Sequence, residues 1–273
     1  MDQDTIIDHP SARSAPIVPD MTPPTAPDVV RVVTEDPPAA LSIRRLDVIR
    51  GGRKVLGDIS FDVPRGAIMG LVGLNGAGKT SLIKAVLGLA GEASGDIRIF
   101  GETAEDMRRR GAVACLPEHF RPPGRLRGKT YVRLMRGLEA DPRDTGDALA
   151  IARSLDLDPQ ALERPVRTWS KGMCQKLGLA VTLAGSARLV VLDEPMSGLD
   201  PRARALLKTC LSRARLGGRT LLVCSHILAD LDEIADRIAV IHDGRLLATG
   251  TTDEVRGRHA TLERAFLEII AAA

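Results

Sequence analysis

Ala67-Ile-Met-Gly-Leu-Val72-Gly73-Leu-Asn-Gly-Ala-Gly78-Lys79-Thr80-Ser81-Leu-Ile-Lys-Ala-Val-Leu87 is the stretch whose reading decides the fold. The apolar run Ala67 to Val72 has the pattern of a strand buried on both faces, and Ser81 to Leu87 has the spacing of a helix. Between them stands G-x-x-x-x-G-K-[ST], a glycine-rich turn that lets successive backbone N–H groups curl around phosphate oxygens. The start of the helix adds its positive end, Lys79 neutralises β/γ-phosphate charge, and the Thr80 hydroxyl is suited to ligate Mg²⁺. The candidate phosphate-binding residues are Gly73, Asn75, Gly76, Gly78, Lys79, Thr80 and Ser81.

Outward from this loop, short apolar strands alternate with helical stretches, which predicts an α/β fold with a parallel sheet. Ile59, Phe61 and Val63 alternate with Ser60 and Asp62 as a half-buried strand does. Ala112 to Leu116, Thr220 to Cys224 and Ile238 to Ile241 are strands, while Ala203 to Leu211 and Ile227 to Ala235 are helical. Asp243-Gly244 is a two-residue hairpin signal, because a type I′ turn needs two positive φ angles. Thr251 with Glu254 forms a capping-box start, and Leu262, Phe266, Ile269 and Ile270 make an apolar stripe on a terminal helix. Between Arg121 and Ala184 strands are absent, so this stretch is expected to be a helical insertion.

Composition narrows the class. In 273 residues, 44% are hydrophobic and 27% charged, which excludes a wholly disordered, collagen-like or coiled-coil chain. Aromatics are 2%, so the core must be aliphatic. No apolar run is long enough to span a bilayer and no secretory signal is legible, so cytosolic residence is expected. Cys115, Cys174, Cys210 and Cys224 lack metal or C-x-x-C spacing and are expected to be small buried apolar residues. Eight of the 17 prolines fall in residues 1–38, together with seven acids and two bases. This acidic, Pro-rich stretch is expected to be a disordered tail. The net charge of +3 gives no argument for a nucleic-acid partner.

Arg188-Leu-Val-Val-Leu-Asp193-Glu194-Pro195 is a hydrophobic strand ending in two acids, at the strand end where ligands of parallel sheets bind. Asp193 is suited to hold Mg²⁺ and Glu194 to polarise a water. With these motifs in order, the chain resembles the nucleotide-binding subunit of an ATP-binding cassette (ABC) ATPase from about Leu41 onward. Trp169-Ser170-Lys171-Gly172-Met173 resembles the family signature L-S-G-G-Q and keeps its Ser and second Gly. Ser197-Gly-Leu-Asp200 resembles the D-loop, and His226 stands at the switch-histidine position.

The resemblance implies a P-loop NTPase core with an antiparallel β subdomain and a helical insertion at about 121–184. It divides the chain into the tail 1–38, an ATPase domain 39–250 and C-terminal helices 251–273. It also implies ATP and Mg²⁺ as cofactors, Glu194 and His226 as catalytic residues, and Thr80, Asp193 and Glu118 at the metal. Glu118 stands where the family commonly has Gln, and Arg50 stands where it usually stacks an aromatic on adenine. For Arg50 two readings stand, a guanidinium plane stacked on the base or a solvated turn residue. Ser170, Gly172 and Asp200 are implied to complete the site of a second ABC subunit, giving a homo- or heterodimer. With one P-loop and no membrane span, the partner implied is a separate integral membrane permease, with the subunit peripheral at the cytoplasmic face. The signature form and Leu116-Pro117-Glu118 lean toward export; a soluble ABC ATPase acting without a transporter is the alternative. Arg121, Arg125, Arg127, Lys129, Arg133 and Arg136 form a basic strip in the region that meets the permease in the family.

Overall fold

The computed structural model describes residues 39–139 and 145–273. The expected disordered tail, residues 1–38, lies outside the described residues, as do residues 140–144 of the expected insertion. The chain opens with β1 (Ala39–Arg50), β2 (Arg53–Pro64), β3 (Ile68–Val72), α1 (Lys79–Val86), β4 (Glu92–Ile99), β5 (Glu102–Thr103), α2 (Ala104–Arg109) and β6 (Val113–Leu116). Helices follow: α3 (Gly128–Gly137), α4 (Gly146–Ser154), two 3₁₀ turns (Pro159–Glu163 and Val166–Thr168) and α5 (Lys171–Ala184). The last part is β7 (Leu189–Asp193), α6 (Pro201–Leu216), β8 (Thr220–Cys224), α7 (Leu228–Ile234), β9 (Arg237–His242), β10 (Arg245–Thr251), α8 (Thr252–Arg256) and α9 (Leu262–Ala271).

Six strands form one sheet in the order β10-β9-β3-β8-β7-β6, in which only β10 is antiparallel to its neighbour. Four more form an antiparallel sheet, β2-β1-β4-β5. All residues of β3, β7 and β8 are buried, as continuous apolar runs in a parallel sheet require. Their side chains alternate between two faces. Met69, Leu71, Leu189, Val191 and Leu222 join a core with α1 and the four-stranded sheet. Ile68, Val72, Val190, Leu192, Leu221 and Val223 join a core with α6, α7 and α9. Each such fully buried aliphatic side chain contributes roughly 1.5–3 kcal/mol, so this double-sided core holds the sheet rigid.

Register places the site. Leu71 of β3 pairs with Cys224 of β8, and Cys224 pairs with Asp193 of β7, so three neighbouring strands end level at one edge. The segments leaving that edge are the glycine-rich loop, Glu194 and His226. The Asp243-Gly244 turn has φ of 44° and 75°, both positive as type I′ needs, and closes β9 onto β10. The Gly244 N–H donates to the Ala77 carbonyl at 3.1 Å, bracing the phosphate loop from below. The capping box at Thr251 and Glu254 is present.

No named strand lies among the described residues between β6 and β7, but α5 is shared between cores. Leu179 and Leu183 pack under the parallel sheet, whereas Leu177, Ala180 and Val181 pack against α3 and α4. Two expectations need correction. Of the cysteines only Cys224 is buried; Cys115, Cys174 and Cys210 are half-buried. Arg136, counted in the basic strip, is 1% exposed and paired with Glu139, because α3 turns that side chain into the helical core. Arg121, Arg125, Arg127 and Arg133 remain exposed.

Candidate functional site

The glycine-rich loop is built where side chains do not fit. A Cβ on Gly73 would stand 2.3 Å from the Ile241 carbonyl oxygen, and one on Gly78, at φ +108°, 2.5 Å from Leu56 Cδ2. The loop therefore packs against β9 and β2 while its backbone faces outward. Lys79 begins α1 and is 8% exposed. Its Nζ donates to the carbonyls of Gly73 at 2.7 Å and Leu74 at 3.2 Å. Both acceptors are neutral, so the ammonium charge remains available to an anion at the start of the helix.

Three carboxylates face this lysine's neighbourhood. Thr80 Oγ1 lies 3.5 Å from Asp193 Oδ2. The Asp193 carboxyl is pushed up to about 6, first by burial and then by the charges of Glu118 and Glu194, against the pull of Lys79 and Thr80. Glu194 is 6% exposed and sits at φ +51°, a left-handed conformation that costs a non-glycine residue about 1–3 kcal/mol. Its N–H donates to the Cys224 carbonyl at 2.9 Å, which holds the turn, and its Oε2 lies 2.7 Å from His226 Nδ1. Burial and the Asp193 charge also raise the Cys115 thiol to about 12, which keeps it protonated.

The donor set fits a hard divalent cation. Thr80 Oγ1 and Asp193 Oδ2 are oxygen donors, and the crowded charge that raises the Asp193 carboxyl is the charge a cation would relieve. Among the described residues no group of three or more His, Cys, Asp or Glu is placed to hold a metal. Thr80 and Asp193 would hold a Mg²⁺ ion here, leaving its other positions to water and phosphate oxygens.

A cleft of about 380 Å³ brings together Arg50, Asn75, Gly76, Gly78, Lys79, Thr80, Ser81, Glu118, Asp193, Glu194 and His226. Among the described residues Val55 is the remaining wall, and no Phe, Tyr or Trp lines the cleft. Gly73 supports the cleft through its bond to Lys79. Ser170, Gly172 and Asp200 do not line it. Ser170 caps α5 by accepting the Met173 N–H at 3.2 Å. A Cβ on Gly172 would stand 2.7 Å from the Gly198 carbonyl oxygen. Asp200 caps α6 through the Ala203 N–H at 2.8 Å, a bond that lowers its carboxyl below the usual range. Sequence reasoning missed Gln175, which is 2% exposed and donates Nε2–H to the Pro195 carbonyl at 3.2 Å. Its one signal was a polar residue at the edge of an apolar helix.

An open parallel sheet with a phosphate loop, an acidic strand end and a switch-placed histidine defines a nucleoside triphosphate-binding protein. Residues 56–197 match the family model for ABC transporters. An ABC transporter ATP-binding protein of Nostoc sp. is 35% identical over 206 residues, covering 74% of this chain and 61% of that protein. The chain thus spans about three-fifths of that relative's length. The lantibiotic transport ATP-binding protein SrtF of Streptococcus pyogenes is 31% identical over 209 residues, covering 76% of this chain and 89% of its own. A solved structure of an ATP binding subunit of an ABC transporter superposes with a TM-score of 0.75 at 29% identity, over 85% of this chain and 99% of that one. The chain belongs to the ABC transporter family, as one of its ATP-binding subunits. Among the described residues no helix is long and apolar enough to cross a membrane.

Proposed function

We propose that this chain is the Mg²⁺-dependent, ATP-hydrolysing subunit of an exporter, peripheral at the cytoplasmic face and coupled to a separate membrane-spanning permease. The observation that carries the reading is one cleft in which Lys79, Thr80 and Asp193 face a Glu194–His226 pair 2.7 Å apart. The name of the streptococcal relative, a lantibiotic transport protein, supports transport. The loop amides from Gly73 to Ser81 and Lys79 bind the triphosphate, and Arg50 lies against the nucleoside end. Thr80, Asp193 and Glu118 would hold Mg²⁺, which when bound neutralises phosphate charge. Glu194 takes a proton from the attacking water, and the His226 Nδ1–H fixes the carboxylate that receives it. Ser170, Gly172 and Asp200 complete the site of a second ABC subunit, identical or different, so that two ATP molecules close the dimer. Nucleic acid has no part in the scheme.

The test is twofold. Phosphate release from ATP should require Mg²⁺ and Glu194, and the native protein should sediment with membranes and co-purify with an integral membrane protein. A native protein that stays wholly in the soluble fraction and co-purifies with no integral membrane protein would assign the chain to soluble ABC ATPases instead.

A further inference from the structure

The first two turns of α5 grip the loop that follows Glu194 at three points. Gln175 Nε2 donates to the Pro195 carbonyl at 3.2 Å, in a buried bond. Lys171 Nζ donates to Ser197 Oγ at 2.8 Å. The Gly198 carbonyl stands so close to Gly172 that any side chain there would collide. The methylenes of Lys171 also cover Gly198, its Cγ and Cδ each lying 3.1 Å from where a Cβ on Gly198 would be. Gly198 has φ +76°, so the loop turns at the residue the lysine covers.

A lysine at this position is costly on its own account. A cation in the first turn faces the positive end of the helix dipole, a penalty of about 0.3–1 kcal/mol. Among the described residues it gains no carboxylate in return, because its acceptor is a neutral hydroxyl. What the bond does gain is position. The Ser197 N–H donates to the Glu194 carbonyl at 3.1 Å, so the residue held by Lys171 closes the turn on which Glu194 sits in its strained conformation.

We infer that Lys171 is a positioning residue for Glu194: through Ser197 it holds the Glu194 turn, and so the carboxylate, in register with His226. The inference rests on the reading of Glu194 as the proton acceptor. The ammonium touches neither the cleft nor, in this chain, any residue lining it, so its loss should act on turnover and leave nucleotide affinity alone.

The experiment compares the full chain with Lys171→Met, which keeps the methylenes, and with Ser197→Ala, the double variant and Lys171→Arg. Steady-state hydrolysis supplies kcat and KM, and equilibrium titration supplies the ATP affinity. Lys171→Met and Ser197→Ala should each lower kcat about fivefold to tenfold, with KM and ATP affinity within about twofold of the parent. The double variant should fall no further than either single one, since both remove the same bond. Lys171→Arg should recover at least half of the rate. An unchanged kcat in both single variants, losses that multiply in the double variant, or a raised KM at constant kcat would each overturn the inference. If Lys171→Met fails to fold, Ser197→Ala with Lys171→Arg carries the same comparison. Glu194→Gln separates the two levels: full activity in that variant removes the hydrolysis reading itself. Dependence on Glu194 with indifference to Lys171 removes only this inference.

Discussion

The Glu194 carboxylate and Nδ1 of His226 stand 2.7 Å apart, the Glu194 side chain sealed at 8% exposure and the His226 side chain open at 58%. The acid directly follows β7 and the histidine stands in the segment after β8, so the pair exists because those strands end level. The arrangement gives a carboxylate oriented by a ring that can itself respond to what enters the cleft.

Glu194→Gln is expected to keep ATP binding and lose roughly 10²- to 10⁴-fold in turnover, the usual worth of a general base. Lys79→Ala should instead weaken binding by about 1.5–3 kcal/mol, the loss of a charged phosphate contact. Titration and phosphate release on both variants check this, and undiminished hydrolysis by Glu194→Gln would refute the assignment.

Asp193 gives a pH signature in the nucleotide-free protein. The unfolded carboxyl titrates near 3.8 and the folded one at about 6. Between these values the folded state binds a proton that the unfolded chain does not, so stability rises as pH falls from about 6 toward about 4. At pH 7 the ionised group costs up to ~3 kcal/mol. Asp193→Asn should therefore raise Tm at pH 7.5 and lose that advantage near pH 4. Equal effects at both pH values in thermal melts would refute the burial argument.

With ATP present, Glu194→Gln is expected to accumulate as a dimer, because Ser170 and Gly172 lie outside their own chain's cleft. Adding Ser170→Arg should abolish that dimer by crowding the partner's phosphate. Sedimentation that shows monomers throughout, alone and with a candidate partner subunit, would exclude the closed dimer.

Base selectivity should be weak. The cleft is lined by Arg50 and Val55 and, among the described residues, by no aromatic ring, so under the proposed reading the triphosphate carries the affinity. GTP is expected to compete within about tenfold of ATP, ~1.4 kcal/mol. Arg50→Tyr should tighten ATP by up to the roughly 1–3 kcal/mol of a stacked base. A hundredfold ATP preference in the parent would place the base elsewhere.

Arg125→Glu with Arg133→Glu, both exposed, should spare hydrolysis by the isolated subunit and release it from membranes. Membrane association that persists at low and physiological salt would make these arginines a merely solvated face.

Local signals in the sequence determined the phosphate loop, the strands β3, β7, β8 and β9, the Asp243-Gly244 turn and the cap at Thr251. Each is written in a period, a glycine or a hydrogen bond spanning a few residues, so no distant part of the chain is needed to read it. β4 was illegible for the opposite reason. Its residues Glu92 to Ile99 are mostly exposed, and pairing with β1 rather than apolar alternation makes them a strand. Only the tertiary structure decided that Asp193 rises to about 6, that Arg136 leaves the basic strip for the core, and that Gln175 and Lys171 hold the loop after Glu194. Those facts depend on strand register and on helix α5 meeting a loop some 20 residues further along, and burial and charge at such a meeting are sums over neighbours that local sequence does not contain.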